Sequence, residues 1–137
     1  MSAVDEKIGA MVLELREQIP QVECIEGCHD CCGPAPCTHW ERERMGAPPD
    51  PAQGRDDAQP GSCRWLGPSG CTVYEERPMV CRLYGVVEGL ACPHQCRPTK
   101  GARLAQGAQA RIITRYSLAV FMDQLEHMTC VPGEVQR

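Results

Sequence analysis

Large aromatic and branched aliphatic side chains are scarce in this chain of 137 residues. It contains one Phe, two Trp and three Tyr, and its Leu, Ile, Val and Phe residues together number 24. Since buried apolar surface contributes about 25 cal/mol per Å², such a composition supports only a small hydrophobic core. Another kind of interaction must therefore stabilise much of the chain.

Long apolar runs and phosphate-binding loops are also missing. No stretch approaches the roughly 20 consecutive apolar residues of a membrane span, and the first residues include two acids but no apolar run of signal-peptide length. We therefore expect a cytoplasmic protein with no membrane partner. The sequence has no glycine-rich phosphate loop and no G-x-G-x-x-G pattern, so nothing in it supports a nucleotide cofactor.

Positive charge is in short supply where a nucleic-acid-binding protein would need it. The chain has a formal charge of -4, and its segments 1–23, 24–96 and 97–137 carry -3, -4 and +3. Zinc fingers and ribbons that bind nucleic acid need a basic surface, whereas the middle of this chain is acidic. We therefore predict no nucleic-acid partner.

Cysteine is what the chain has in abundance, at 11 of its 137 residues. Such a density is typical of secreted disulfide scaffolds or of metal-bound domains. An odd number of cysteines cannot pair completely within one chain, and a reducing cytoplasm disfavours structural disulfides. Ligation of metal ions by thiolates is therefore the favoured interpretation.

The first cysteine cluster has a C-x3-C-x2-C-C pattern, formed by Cys24, Cys28, Cys31 and Cys32 and followed by Cys37. The spacing of Cys28 and Cys31 lets a tight turn bring two sulfurs to one ion. Neighbouring side chains point in different directions, so Cys31 and Cys32 do not easily ligate one small tetrahedral ion together. The pair therefore indicates two adjacent centres or two irons of one cluster, with buried unligated thiols as the alternative.

The second cluster contains Cys63, Cys71 and Cys81. A Gly-Pro-Ser-Gly turn at 67–70 should return the chain so that the first two cysteines lie close together. Pro78 suits the first turn of a short helix, which would place Cys81 one turn later.

Two arginines, Arg77 and Arg82, flank Cys81. They either stabilise the negative charge of a thiolate-bound centre as indirect, cofactor-binding residues, or form ordinary salt bridges with Glu75 or Glu76. The sequence favours neither alternative.

A third group, Cys92-Pro-His-Gln-Cys96, resembles one arm of a zinc knuckle or of an iron–sulfur site. Cys130 stands apart and is not expected to be a ligand. His127 suits a surface position or the dipole at the end of a helix.

Helices are predicted at both ends of the chain. Apolar residues recur at helical spacing over 3–19, where Ser2 and Asp5 indicate a capping box and Pro20 a stop. Over 101–128 they form two stripes, one through Leu104, Ala108, Ile112, Tyr116, Ala119 and Val120 and another through Ile113, Phe121, Leu125 and Met128. A helix that is apolar on two sides should pack on two sides, between the first helix and the cysteine-rich region or in a dimer. The sequence does not decide between monomer and dimer.

The elements Cys24-x3-Cys28-x2-Cys31-Cys32, Cys63-x7-Cys71 and Arg77-Pro78-x-x-Cys81-Arg82 together resemble the YkgJ-type cysteine-cluster family, described as a zinc- or iron-chelating domain. The resemblance covers about residues 24–98. It implies a small metal-binding domain, sometimes called an iron–sulfur oxidoreductase without a defined reaction, and a similar domain occurs in flagellin lysine methylases. It maps the cysteines of the first two clusters, except Cys37, onto those of the family.

We predict one domain over residues 1–137 that is small, loop-rich and mainly α-helical. A metal-stapled cysteine-rich body at 24–98 would be flanked by an N-terminal helix at 3–19 and a long C-terminal helix at 101–128. The predicted metal ligands are Cys24, Cys28, Cys31, Cys32, Cys63, Cys71, Cys81, Cys92 and Cys96.

Soft thiolate ligation suits zinc and iron–sulfur clusters alike, but the vicinal pair and the number of ligands favour a 4Fe-4S cluster over zinc. We predict a role in electron transfer or redox sensing with a redox partner protein. The alternatives are a zinc-stapled interaction domain, and a redox enzyme or methyl-transfer accessory that uses the cluster. No acid–base pair is committed to a pocket, so an enzyme is the less favoured class, and an oxidoreductase is the one left open.

Overall fold

The computed structural model describes residues 1–23, 28, 33, 35–49 and 63–128. Within them, four α-helices follow in the order α1 (Ala3–Glu17), α2 (His39–Met45), α3 (Met79–Leu83) and α4 (Gln106–Glu126). A hairpin of two short antiparallel strands, β1 (Leu66–Gly67) and β2 (Gly70–Cys71), lies between α2 and α3. Two 3-10 helices, Tyr74–Glu76 and Glu88–Leu90, flank α3. The small, loop-rich and mainly α-helical fold class is confirmed.

Helix α1 begins with the capping box that the sequence predicts. The Ser2 hydroxyl accepts a hydrogen bond from the Asp5 backbone N–H at 3.1 Å, and Asp5 Oδ2 accepts one from the Ser2 backbone N–H at 3.1 Å. The helix ends at Glu17, two residues before the predicted end, with Gln18 as its C-cap. Its buried stripe contains Ile8, Val12 and Leu15.

Helix α4 is shorter than predicted, and one of its two apolar stripes is buried within the chain. It begins at Gln106, because the chain before it turns at Gly101 with a φ of 77° and Leu104 donates its N–H to the Val86 carbonyl at 3.1 Å. Its first stripe is buried against α1 at Ile112, Tyr116 and Ala119. Within this one chain the second stripe is 45–63% exposed at Ile113, Phe121, Leu125 and Met128, so it does not pack against the cysteine-rich region, and the alternative of a dimer surface stays a prediction.

The hydrophobic core lies between α1, α4 and the segment around α3. Met79, Leu83, Val86 and Val87 from that segment join the buried stripes of both long helices. Helix α2 adds Trp40, whose indole lies so close to α1 that a Cβ at Gly9 would overlap it. No helix among the described residues has both the length and the apolar character to cross a lipid bilayer.

Candidate metal centre

The two ends of the cysteine-rich region lie side by side. Val22 and Pro98 form an antiparallel β-bridge, and Thr99 donates its backbone N–H to the Gln21 carbonyl at 2.9 Å. The Tyr74 hydroxyl donates to the Val22 carbonyl at 3.2 Å. The start, middle and end of the region are therefore joined at Val22, which is itself buried.

Cys63 and Cys71 lie on either side of the hairpin, as the turn at 67–70 predicts. Leu66 of β1 pairs with Cys71 of β2, and the Leu66 N–H donates to the Cys63 carbonyl at 3.1 Å. Gly70 has a φ of 114°, a conformation that favours glycine, and this allows the tight reversal. The hairpin thus brings the backbones of Cys63 and Cys71 to its open end, opposite the turn at 67–70.

Cys81 lies in α3, the short helix that the sequence predicts after Pro78. Pro78 is its N-cap residue, and the Cys81 N–H donates to the Pro78 carbonyl at 3.0 Å. The end of α3 leads to Gly85, where the backbone passes close to Cys96. A Cβ at Gly85 would lie 2.8 Å from the Cys96 carbonyl oxygen, and the φ of Gly85 is 82°. The backbone that follows the second cysteine group therefore passes close to the third group at Cys96.

The third group forms a tight turn around one sulfur. The Gln95 N–H donates to the Cys92 carbonyl at 2.9 Å, and Gln95 adopts a left-handed conformation with a φ of 60°. The His94 backbone N–H lies 3.4 Å from the Cys92 Sγ, to which it donates. The Cys92 sulfur therefore lies within the turn, with a backbone donor directed at it.

Glu41 is a buried carboxylate that sequence reasoning missed. Its Oε1 accepts hydrogen bonds from the Thr38 N–H at 3.1 Å and the Tyr116 hydroxyl at 2.6 Å, and its Oε2 accepts one from the Met79 N–H at 2.8 Å. The residue is 0% exposed. Burial and the neighbouring carboxylate raise the pKa of Tyr116. Glu41 therefore connects the start of α2, next to Cys37, with the start of α3, next to Cys81.

Cys37 precedes α2 and lies outside the predicted ligand set. Its Sγ is 3.8 Å from Nη2 of Arg42. Burial raises the pKa of the Cys37 thiol, although the hydrogen bond and positive charge of Arg42 act in the opposite direction. Cys37 precedes Thr38 and Cys81 lies two residues after Met79, so the hydrogen bonds of Glu41 to Thr38 and Met79 connect the segments that carry these two cysteines.

The arginines beside Cys81 bind backbone oxygens. Arg82 donates to the Arg77 carbonyl at 2.9 Å and to the Glu75 carbonyl at 2.7 Å, and Arg77 donates to the Tyr74 carbonyl at 2.8 Å. The Glu76 carboxylate instead binds two other arginines, Arg44 at 2.9 Å and Arg16 at 3.2 Å. Among the described residues, neither Arg77 nor Arg82 therefore forms the alternative salt bridge to Glu75 or Glu76.

Arg82 is affected by several other charged side chains in this region. Burial, and then the like charges of Arg16 and Arg77, lower the pKa of Arg82 to about 10. The Nε and Nη2 atoms of Arg16 are buried without a hydrogen-bond partner in the described part of the chain. Buried donors and like charges of this kind are stabilised by a nearby anion.

Only some of the predicted ligands are among the residues that the structure describes. Cys28, Cys63, Cys71, Cys81, Cys92 and Cys96 are described and partly buried, whereas Cys24, Cys31, Cys32 and also Cys130 lie outside the described residues. No three of the described cysteines have sulfurs that all lie within 4.8 Å of one another. The described sulfurs alone thus do not complete a centre, and the ligand set stays a prediction.

A family model, CxxCxxCC, with the description "Putative zinc- or iron-chelating domain", matches residues 23–97. No curated protein and no solved structure matches the chain. The matched segment begins one residue after Val22 and ends one residue before Pro98, so its limits coincide with the β-bridge.

Proposed function

The chain belongs to the CxxCxxCC family of zinc- or iron-chelating domains, and from that premise we propose that its cysteine-rich body holds a 4Fe-4S cluster. The cluster would accept and release single electrons, and the protein would serve in electron transfer or redox sensing with a redox partner protein. The observation that carries this proposal is the closure of residues 23–97 at Val22 and Pro98. The bridge holds the two ends of the segment together, which supports ligation of one centre by cysteines from both ends.

The donor set fits a polynuclear centre better than a single ion. Nine thiols are available in the predicted ligand set, namely Cys24, Cys28, Cys31, Cys32, Cys63, Cys71, Cys81, Cys92 and Cys96. One tetrahedral zinc takes four. The vicinal pair of the first cluster supports ligation of separate irons, because neighbouring side chains diverge.

The charges around Cys81 also fit a thiolate-bound centre. Four thiolates on a cubane cluster of charge 2+ leave a net charge of -2. Burial, and then the positive charges of Arg16 and Arg77, lower the pKa of Arg82. The Nε and Nη2 atoms of Arg16 lack a hydrogen-bond partner among the described residues, although its Nη1 binds Glu76. An anionic centre near Cys81 would add to the compensation of positive charge that Glu76 and Glu41 already provide.

A zinc-stapled interaction domain is the second candidate function. The knuckle-like turn at Cys92, with its N–H···S hydrogen bond from His94, is equally suited to zinc. Zinc has no redox chemistry, so this alternative would make the metal purely structural. A redox enzyme or methyl-transfer accessory lacks a supporting observation among the described residues.

Purification of the full chain without oxygen, followed by metal analysis, tests the proposal. We expect brown protein that contains iron and acid-labile sulfide in equal amounts and bleaches reversibly on reduction. Cys31→Ser and Cys81→Ser should each reduce bound iron, whereas the matched control Cys130→Ser should retain it. Stoichiometric zinc without iron or sulfide would overturn the cluster, and equal iron in all three variants would overturn the ligand set.

A further inference from the structure

Three side chains outside the cysteine groups converge where α1, α2 and α4 meet. Asp5 lies in the first turn of α1, His39 is the first residue of α2, and His127 is the C-cap of α4. One ligand atom from each lies within 4.8 Å of the other two. Asp5 and His127 are 122 residues apart in the chain, and neither falls in the segment that the family model matches.

The contacts within this group are close. His127 Nε2 lies 2.7 Å from Asp5 Oδ1, and the rings of His39 and His127 lie 4.3 Å apart between centroids. Asp123 Oδ1 accepts the His39 backbone N–H at 3.0 Å and lies 3.8 Å from His127 Nε2. Glu43 Oε1 is 3.5 Å from His39 Nε2. The two imidazoles are therefore surrounded by carboxylates.

The Asp5 carboxylate is oriented for a ligand on one side. Its Oδ2 accepts hydrogen bonds from the backbone N–H and the hydroxyl of Ser2, which leaves Oδ1 directed at His127. The side chain is 2% exposed. Burial raises the pKa of Asp5, but the hydrogen bonds from His127 and Ser2 act more strongly and lower this pKa to about 2. A buried carboxylate that is held by a capping interaction resembles the oriented ligands of metal sites.

We propose that Asp5, His39 and His127 form a second site that binds Zn²⁺ or a chemically similar divalent cation, separate from the cysteine ligands. Two imidazoles and one carboxylate are a donor set that zinc accepts, and three protein ligands leave a fourth position open. The side chains of His39 and His127 are 36% and 39% exposed, so this fourth position faces solvent. Nitrogen and oxygen donors are harder than thiolates, which distinguishes the site chemically from the cysteine centre.

Metal binding replaces the proton between Asp5 and His127. With bonds of about 2.0–2.1 Å, tetrahedral zinc holds its ligand atoms about 3.3 Å apart. The 2.7 Å contact must therefore lengthen, and His39 must approach from within 4.8 Å. Both imidazoles are partly exposed side chains, so these small movements do not disturb the core.

The test is a Zn²⁺ titration of the full chain, which is purified with the metal that its cysteines hold. The titration is followed by NMR through the nitrogen and proton resonances of the imidazole rings. We expect the ring signals of His39 and His127 to shift. His39→Gln and His127→Gln should each weaken binding at this site by about tenfold or more. Glu126→Gln is the control, because it removes a carboxylate at the same end of α4 that is not a proposed ligand. This variant should bind Zn²⁺ as the wild type does.

His39→Gln is the decisive variant, because it leaves the pair of Asp5 and His127 intact and so does not depend on how far that pair stabilises the fold. Circular dichroism of each variant checks that it is folded. Ring signals unmoved by millimolar Zn²⁺, or wild-type affinity in His39→Gln, would show that the group is only a hydrogen-bonded ion pair. The metal content of the cysteine variants is measured separately, so failure here leaves the proposed cluster unaffected.

Discussion

At the scale of single residues, Gly85 shows how closely the cysteine groups approach one another through their backbones. Gly85→Ala would place a Cβ 2.8 Å from the Cys96 carbonyl oxygen and 3.4 Å from Val22, at a φ of 82°. Left-handed conformation alone costs a non-glycine residue about 1–2 kcal/mol, and the overlap adds to this. We expect the free energy of unfolding to fall by about 2 kcal/mol or more, as measured by urea denaturation.

Gly89→Ala is the matched control for this substitution. Gly89 lies four residues further along, and an added Cβ there would meet no atom within 4 Å. Its effect on the free energy of unfolding should stay within about 0.5 kcal/mol. Similar losses in both variants would mean that the contact between Gly85 and Cys96 does not constrain the fold.

At the scale of secondary-structure elements, the Glu41 carboxylate connects three helices. Glu41→Gln replaces one acceptor oxygen by a donor, so at least one of the buried groups of Thr38, Met79 and Tyr116 loses its acceptor. Leaving a buried donor unpaired costs about 1–3 kcal/mol. We expect a loss of that size in chemical denaturation.

Glu43→Gln provides the comparison on the same helix. The Glu43 side chain is 56% exposed and pairs only weakly with His39, so its removal should change stability by about 0.5 kcal/mol or less. If Glu41→Gln were as stable as Glu43→Gln, the carboxylate would not connect α2, α3 and α4 energetically.

The elements that could be predicted are those whose signals are local. The capping box of Ser2 and Asp5, the turn at 67–70 and the position of Pro78 each act within a few residues, and all three are found in the structure. Helix α2 has seven residues and depends on Glu41, whose partner Tyr116 is 75 residues away. No periodicity in the sequence reports that contact, but α2 also begins with a local signal that the prediction missed, the capping box of Thr38 and Glu41.

In the candidate site, too, local patterns could be predicted and long-range contacts could not. Spacing and family resemblance identify the cysteine groups, and the family match supports that identification. The partners of Arg77 and Arg82 could not be predicted, because both arginines bind backbone carbonyls, which are present at every residue. The convergence of Asp5, His39 and His127 requires the packing of α1 against α4 and is likewise hidden in the sequence.

At the scale of the whole molecule, the chain combines a hydrophobic core with a cysteine-rich region of different chemistry. The core joins α1 and α4 to the segment around α3, whereas the proposed metal centre draws on residues 24–98. Domains held together by metal seldom keep their structure without it. Removal of the metal by chelation under reducing conditions should therefore increase amide hydrogen exchange most strongly in 24–98.

The two long helices provide the internal reference for that experiment. Exchange in the buried parts of α1 and α4 should rise less than in 24–98, because their contacts are apolar. Circular dichroism and hydrogen exchange that both remain unchanged after chelation would show that metal does not stabilise the region.

The β-bridge of Val22 and Pro98 places the two ends of the cysteine-rich segment next to each other, which matters for transferring the segment into another protein. A segment that enters and leaves through neighbouring backbone positions can be grafted into a surface loop of an unrelated host without forcing the host's flanking residues apart. For residues 23–97 such a graft would have to include α1 and α4, because Met79, Leu83 and Val86 are buried in the core that these two helices share with the segment.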